Sequence, residues 1–104
     1  MDGLIIKPYW LNKILSGEKK LEIRGSDTSK VGERIYLIES GGTVRGTAVI
    51  SDTIRLDPFL WEFNRSRHCV DMSWEELTER YKNPYAWVLE DVKEIEPFEY
   101  VKHQ

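Results

Sequence analysis

The stretch that decides the fold is Gly17-Glu18-Lys19-Lys20-Leu21-Glu22-Ile23-Arg24. Ser16-Gly17 is a helix stop, because glycine takes the left-handed conformation that closes a helix without a Cβ clash. From Lys19 onward the chain alternates, with Leu21 and Ile23 on one side and Lys20, Glu22 and Arg24 on the other. Period-two alternation is the mark of a half-buried strand. Lys19 has the wrong parity for the charged face and joins it only if the turn rotates it there.

Upstream, Leu11, Ile14 and Leu15 fall at helical spacing, and Pro8 suits a first helical position because its missing N–H would be unpaired there. Residues 3–7 are short, apolar and β-branched, and read as a strand. Downstream, residues 25–30 are loop by composition. Ile35-Tyr36-Leu37-Ile38 is a strand with apolar residues on both faces, and Ser40-Gly41-Gly42-Thr43 is a hairpin signal. The strand from Val44 to about Ile54 contains Gly46 and Ala48, small residues suited to a tight bend or bulge.

Asp57-Pro58 opens a helix carrying Phe59, Leu60 and Phe63, and residues 64–71 read as loop. Ser73-Trp74-Glu75-Glu76 has the form of a capping box and starts a helix through Tyr81, which Asn83-Pro84 breaks. Tyr85-Ala86-Trp87-Val88-Leu89 is a strand, and residues 94–104 read as an edge strand interrupted at Pro97. Five or six strands with about three inserted helices predict an α+β chain, a small mixed β-barrel forming one domain over 1–104.

Composition bounds the function. A chain of 104 residues with 40% apolar and 32% charged residues has globular composition. No apolar run approaches the roughly 20 residues that span a bilayer, and Met1-Asp2-Gly3 lacks the basic and apolar regions of a signal peptide, so a cytoplasmic location and no membrane partner are expected. Cys69 is the only cysteine and His68 and His103 the only histidines, too few for a structural zinc site; neither metal nor cofactor is expected. The net charge of −3 divides unevenly, +2 over residues 1–50 and −5 over 51–104. Duplex affinity comes from neutralising many phosphates, so this balance favours a small or single-stranded ligand held in a local basic cleft.

The Gly17–Arg24 stretch resembles the signature of the ASCH family, a Gly-x-Lys-x-x-Glu-x-Arg that follows the first helix. The flanks are similar in order and spacing: Ile5-Ile6-Lys7-Pro8 before it, Val31-Gly32-Glu33-Arg34-Ile35-Tyr36 after it, then Val44-Arg45-Gly46-Thr47-Ala48 and Tyr85-Ala86-Trp87-Val88-Leu89. The resemblance covers essentially the whole chain. It implies a PUA-like β-barrel with a cleft beside the signature strand, and a role close to RNA metabolism. Members include RNA-binding modules, proteins assigned ribonuclease activity, and a small group that hydrolyses N4-acetylcytidine.

Lys19, Glu22 and Arg24 are the candidate ligand-binding residues, with Lys19 and Glu22 the catalytic candidates if the chain is a hydrolase. Arginine offers a planar fork for phosphate or a base edge, and lysine a mobile point charge. A carboxylate between cations serves better as an acceptor than as a proton donor. In the N4-acetylcytidine group, the resemblance maps a threonine nucleophile onto the place of Glu22, and a carboxylate does not replace a hydroxyl attacking an acyl carbon. The plainer reading of the same residues is a solvated strand face with cross-strand ion pairs.

Tyr9, Trp10 and Trp87 are candidates to stack a base, although aromatic side chains in a small barrel are more often core. Ser40 is a candidate hydroxyl at the hairpin. His68, read as a loop residue between basic neighbours and an acidic helix, is a candidate ligand or proton-transfer group. The functional expectation is a binder of single-stranded RNA or of a modified nucleotide or nucleoside. The alternatives are a metal-independent ribonuclease or N4-acylcytidine amidohydrolase, and a protein adaptor working through the acidic second half.

Overall fold

Pro8 opens the first helix and Gly17, at φ 85°, ends it, so the chain leaves the helix by a sharp turn and enters the signature strand. The computed structural model describes residues 1–101. In order the elements are β1 (Gly3–Ile6), α1 (Pro8–Leu15), β2 (Leu21–Arg24), β3 (Arg34–Glu39), β4 (Thr43–Arg55), α2 (Pro58–Phe63), α3 (Arg65–His68), α4 (Trp74–Arg80) and β5 (Tyr85–Glu99).

The strands form one mixed sheet in the order β1-β3-β4-β5-β2. β1 runs parallel to β3, and the other neighbours are antiparallel. The two short strands, β1 and β2, are therefore the two edges. They approach each other nonetheless: Arg24 at the end of β2 donates from Nη2 to the carbonyl of Ile5 in β1 at 2.7 Å. The sheet is rolled until its edges almost meet.

The expectation of a β-barrel needs correction on this point. The pairing stops at β1 and β2, so the sheet is α+β and barrel-like but not closed. Its seam is bridged by a guanidinium where a ladder would run. A fourth helix is also present, because α3 occupies part of the segment expected as loop. β5 is one continuous strand past Pro97, not two. The expectation for 102–104 lies outside the described residues.

Two apolar clusters fill the interior. Leu11 and Ile14 of α1 pack on Leu4, Ile6, Ile35 and Leu37. Leu21 and Ile23 of β2 pack with Trp61, Leu77 and Ala86. The alternation of β2 thus places its leucine and isoleucine under the helices of the second half. Glu22 and Arg24 are left facing the seam, whereas Lys20, of the same parity, is exposed and borders a separate concavity at the end of α1. The small residue expected at a bend is needed at Gly46, where β4 shifts register and an added Cβ would lie 2.6 Å from the carbonyl oxygen of Lys93.

Candidate functional site

The turn after α1 settles where Lys19 points. Its backbone N–H donates to the Lys13 carbonyl at 3.0 Å, and the N–H of Lys20 donates to the Arg67 carbonyl at 2.8 Å. Lys19 therefore lies outside β2, and strand parity does not govern it. Its side chain enters the same concavity as Glu22 and Arg24 and is only 2% exposed. The ammonium donates to the backbone carbonyl of His68 and sits 4.8 Å from the centre of the Trp10 ring. Burial pulls the Lys19 pKa down to about 8, with Glu22 and Cys69 opposing the shift.

Glu22 is 7% exposed, and its Oε2 accepts from Arg24 Nε at 3.1 Å and from Nη2 at 2.8 Å. The same Nη2 reaches Ile5, so one guanidinium ties the buried carboxylate to the opposite edge of the sheet. A buried charge is tolerated only when paired and hydrogen-bonded, and this pair meets that condition.

The seam encloses a cleft of about 230 Å³. The cleft is lined from β1, α1 and β2 by Ile6, Trp10, Lys19, Glu22 and Arg24, and from the helical second half by Val70, Met72, Leu77, Arg80 and Tyr81. Lys7 at the start of α1 completes the rim. Four cations, Lys7, Lys19, Arg24 and Arg80, thus face one carboxylate in a chain of net charge −3. That arrangement attracts an anion. Lys19 also borders a second, larger concavity of about 740 Å³ at the end of α1, where acidic Glu90 and Asp91 offset Lys19 and Lys20. Among the described residues no three His, Cys, Asp or Glu side chains are grouped to hold a metal ion.

The remaining sequence candidates divide. Trp10 lines the cleft. Tyr9 is 63% exposed on α1 and touches the site only through an edge-to-face contact with Trp10 at 4.8 Å. Trp87 pairs with Glu22 across β2 and β5, lies behind Arg24 at 5.9 Å, and donates from Nε1 to the Ser26 carbonyl, outside the cleft. Ser40 is exposed at the hairpin, where its backbone N–H donates to Ile6, and it is likewise absent from the cleft lining.

His68 corrects the expectation of a loop residue. It ends α3, is fully buried and stacks on the Trp61 ring at 3.7 Å. Its Nε2 donates to the Trp61 carbonyl at 2.9 Å, while Nδ1 accepts from the Val70 N–H at 2.9 Å. Both ring nitrogens are used by the fold, and its contribution to the site is its carbonyl.

Lys7, Arg80 and Tyr81 were not among the sequence candidates. Lys7 had a signal: it is the N-cap residue of α1, where serine, threonine, aspartate or asparagine is favoured. Arg80 had none, since a basic residue in the last turn of a helix suits the helix dipole.

The ASCH domain matches residues 4–99. This chain belongs to the ASCH domain family. The ASCH-family fold is also seen in solved structures. The ASCH protein of Zymomonas mobilis shares 20% identity with this chain, with a TM-score of 0.75 over 93% of this chain and 71% of that one. Two of its point mutants match equally, each at 21% identity and TM-score 0.73, covering 93% of this chain and 72% or 73% of theirs. At such identity the likeness is one of fold, an α+β PUA-like sheet. No curated protein sequence matches this ASCH chain.

Proposed function

We propose that this ASCH domain binds single-stranded RNA or a modified nucleotide in the cleft between β1 and β2. The observation that carries the reading is the convergence of Lys19, Glu22 and Arg24 on one concavity with Trp10 in its wall. Trp10 offers a ring to stack a base, Arg24 and Glu22 offer donors and acceptors for its edge, and Lys19 supplies charge. The cleft is smaller than the roughly 300–1,000 Å³ of pockets that enclose drug-sized ligands. It suits one flat group whose neighbours lie outside.

Titration of the protein with nucleotides and with short single-stranded RNA, followed by Trp fluorescence, tests this. Binding is expected, and Lys19→Ala, Glu22→Ala and Arg24→Ala together should abolish it. Binding that survives all three removes the site.

One observation favours a second reading, hydrolysis of RNA or of an N4-acylcytidine. A lysine with pKa about 8 holds a useful fraction of free amine near neutral pH, the condition for a general base. Chelator-resistant turnover of either substrate, lost in Lys19→Ala, is the result this reading requires. Binding without turnover retires it.

A further inference from the structure

Lys7 and Arg80 reach the same cleft from distant parts of the chain, one where β1 runs into α1 and the other in the last turn of α4. Among the described residues seven cations have an acidic partner: Lys13, Arg24, Lys30, Arg34, Arg45, Arg65 and Lys93. Among the described residues Lys7 and Arg80 have neither an ion pair nor a side-chain hydrogen bond. The one carboxylate in their cleft, Glu22, is engaged by Arg24. Either cation alone is an ordinary surface residue. Together they border a concavity that already holds two more cations.

Local backbone adds to the same excess. α1 has no side-chain cap and no acid in its first turn, and its N-cap is Lys7, so a cation stands at the positive end of the helix dipole. An anion beside Lys7 would offset that unfavourable placement.

We infer that Lys7 and Arg80 bind a phosphate group of the ligand, so that the cleft takes a nucleotide or a phosphate-bearing stretch of single-stranded RNA in preference to a free base or nucleoside. This rests on the nucleotide reading of the cleft and adds what that reading leaves open. The flat group lies against Trp10 and the phosphate lies on the rim, between a guanidinium that binds in a fork and a mobile ammonium.

The test measures affinity by calorimetry for the four ribonucleosides, their 5′- and 3′-monophosphates, and a short single-stranded RNA. It is run on the wild type and on Lys7→Gln with Arg80→Gln. The wild type should bind the preferred monophosphate about tenfold or more tightly than its nucleoside, the scale of one charge-assisted contact. In the double variant the ratio of monophosphate to nucleoside affinity should fall close to one. Both side chains are exposed, Arg80 lying 6.0 Å from the centre of the Tyr81 ring, and melting curves check that the variant is folded. Equal affinity for nucleoside and monophosphate, or a preference that survives the double variant, overturns this inference and leaves the cleft reading standing. Failure to bind any of these ligands overturns both.

Discussion

The ammonium of Lys19 donates to the backbone carbonyl of His68, joining the turn after α1 to the end of α3 across 49 residues of sequence. The His68 ring is locked between Trp61 and Val70, so the carbonyl it presents is fixed. The position of the site's most deeply buried cation is therefore set by a core histidine.

Lys19 should make stability depend on alkaline pH. Its folded pKa of about 8 lies below its ordinary 10.5 because burial penalises the charged form. Between about pH 8 and 10.5 the unfolded chain binds more protons at this site than the folded one, so stability contributed here rises with pH. Below pH 8 both states carry the charge and the penalty is complete. In urea denaturation, the wild type should gain on Lys19→Met as pH rises through that window. A difference that stays flat would show that Lys19 is not desolvated.

His68 should act on the acid side. Its pKa is lowered, first by burial and also by Lys19 and Arg65, while the hydrogen bond with Trp61 works the other way. Protonation would put a hydrogen on Nδ1, facing the Val70 N–H. The folded state therefore binds fewer protons than the unfolded one as pH falls through the usual 6.5, and stability is lost there. His68→Ala should cost about 2–4 kcal/mol by loss of packing and of two hydrogen bonds and should remove this acid sensitivity. Denaturation curves for both proteins across pH 5 to about 7.5 check it.

Arg24 should not be replaceable by lysine. A single ammonium lacks the planar fork that reaches Glu22 and Ile5 together. Arg24→Lys should cost about 1–3 kcal/mol in equilibrium unfolding. Arg24→Met should cost more, about 3–5 kcal/mol, because it leaves Glu22 buried without a partner. Equal stability of all three proteins would mean the seam is held by other contacts.

Nucleic-acid binding should be strand-selective and only moderately salt-dependent. Four cations line the cleft, and the second half of the chain is acidic. For single strands the slope of log affinity against log salt should be no steeper than about −3. Duplex affinity should be weak at physiological salt. Nanomolar duplex binding there would contradict the small-cleft reading.

Much of this was legible before the tertiary structure. The Ser16-Gly17 stop, the alternation through Leu21, Glu22, Ile23 and Arg24, and the Ser73 capping box are local instructions, and the chain follows each one. They depend on neighbours within a few residues, and so does the resemblance to the ASCH family. Those same residues decided that Leu21 and Ile23 face the core and that Glu22 and Arg24 face away from it. Three things depended on distant parts of the chain. The rolling of the sheet brings β1 and β2 edge to edge without pairing. Lys19 enters the cleft despite its parity, because Lys13 and Arg67 hold the backbone before the strand begins. His68 is a packed core residue and Arg80 a cleft residue because α2, α3 and α4 fold over β2. Periodicity reports which side of its own element a residue occupies, but the surface that element meets is chosen by long-range packing, and that choice made the cleft.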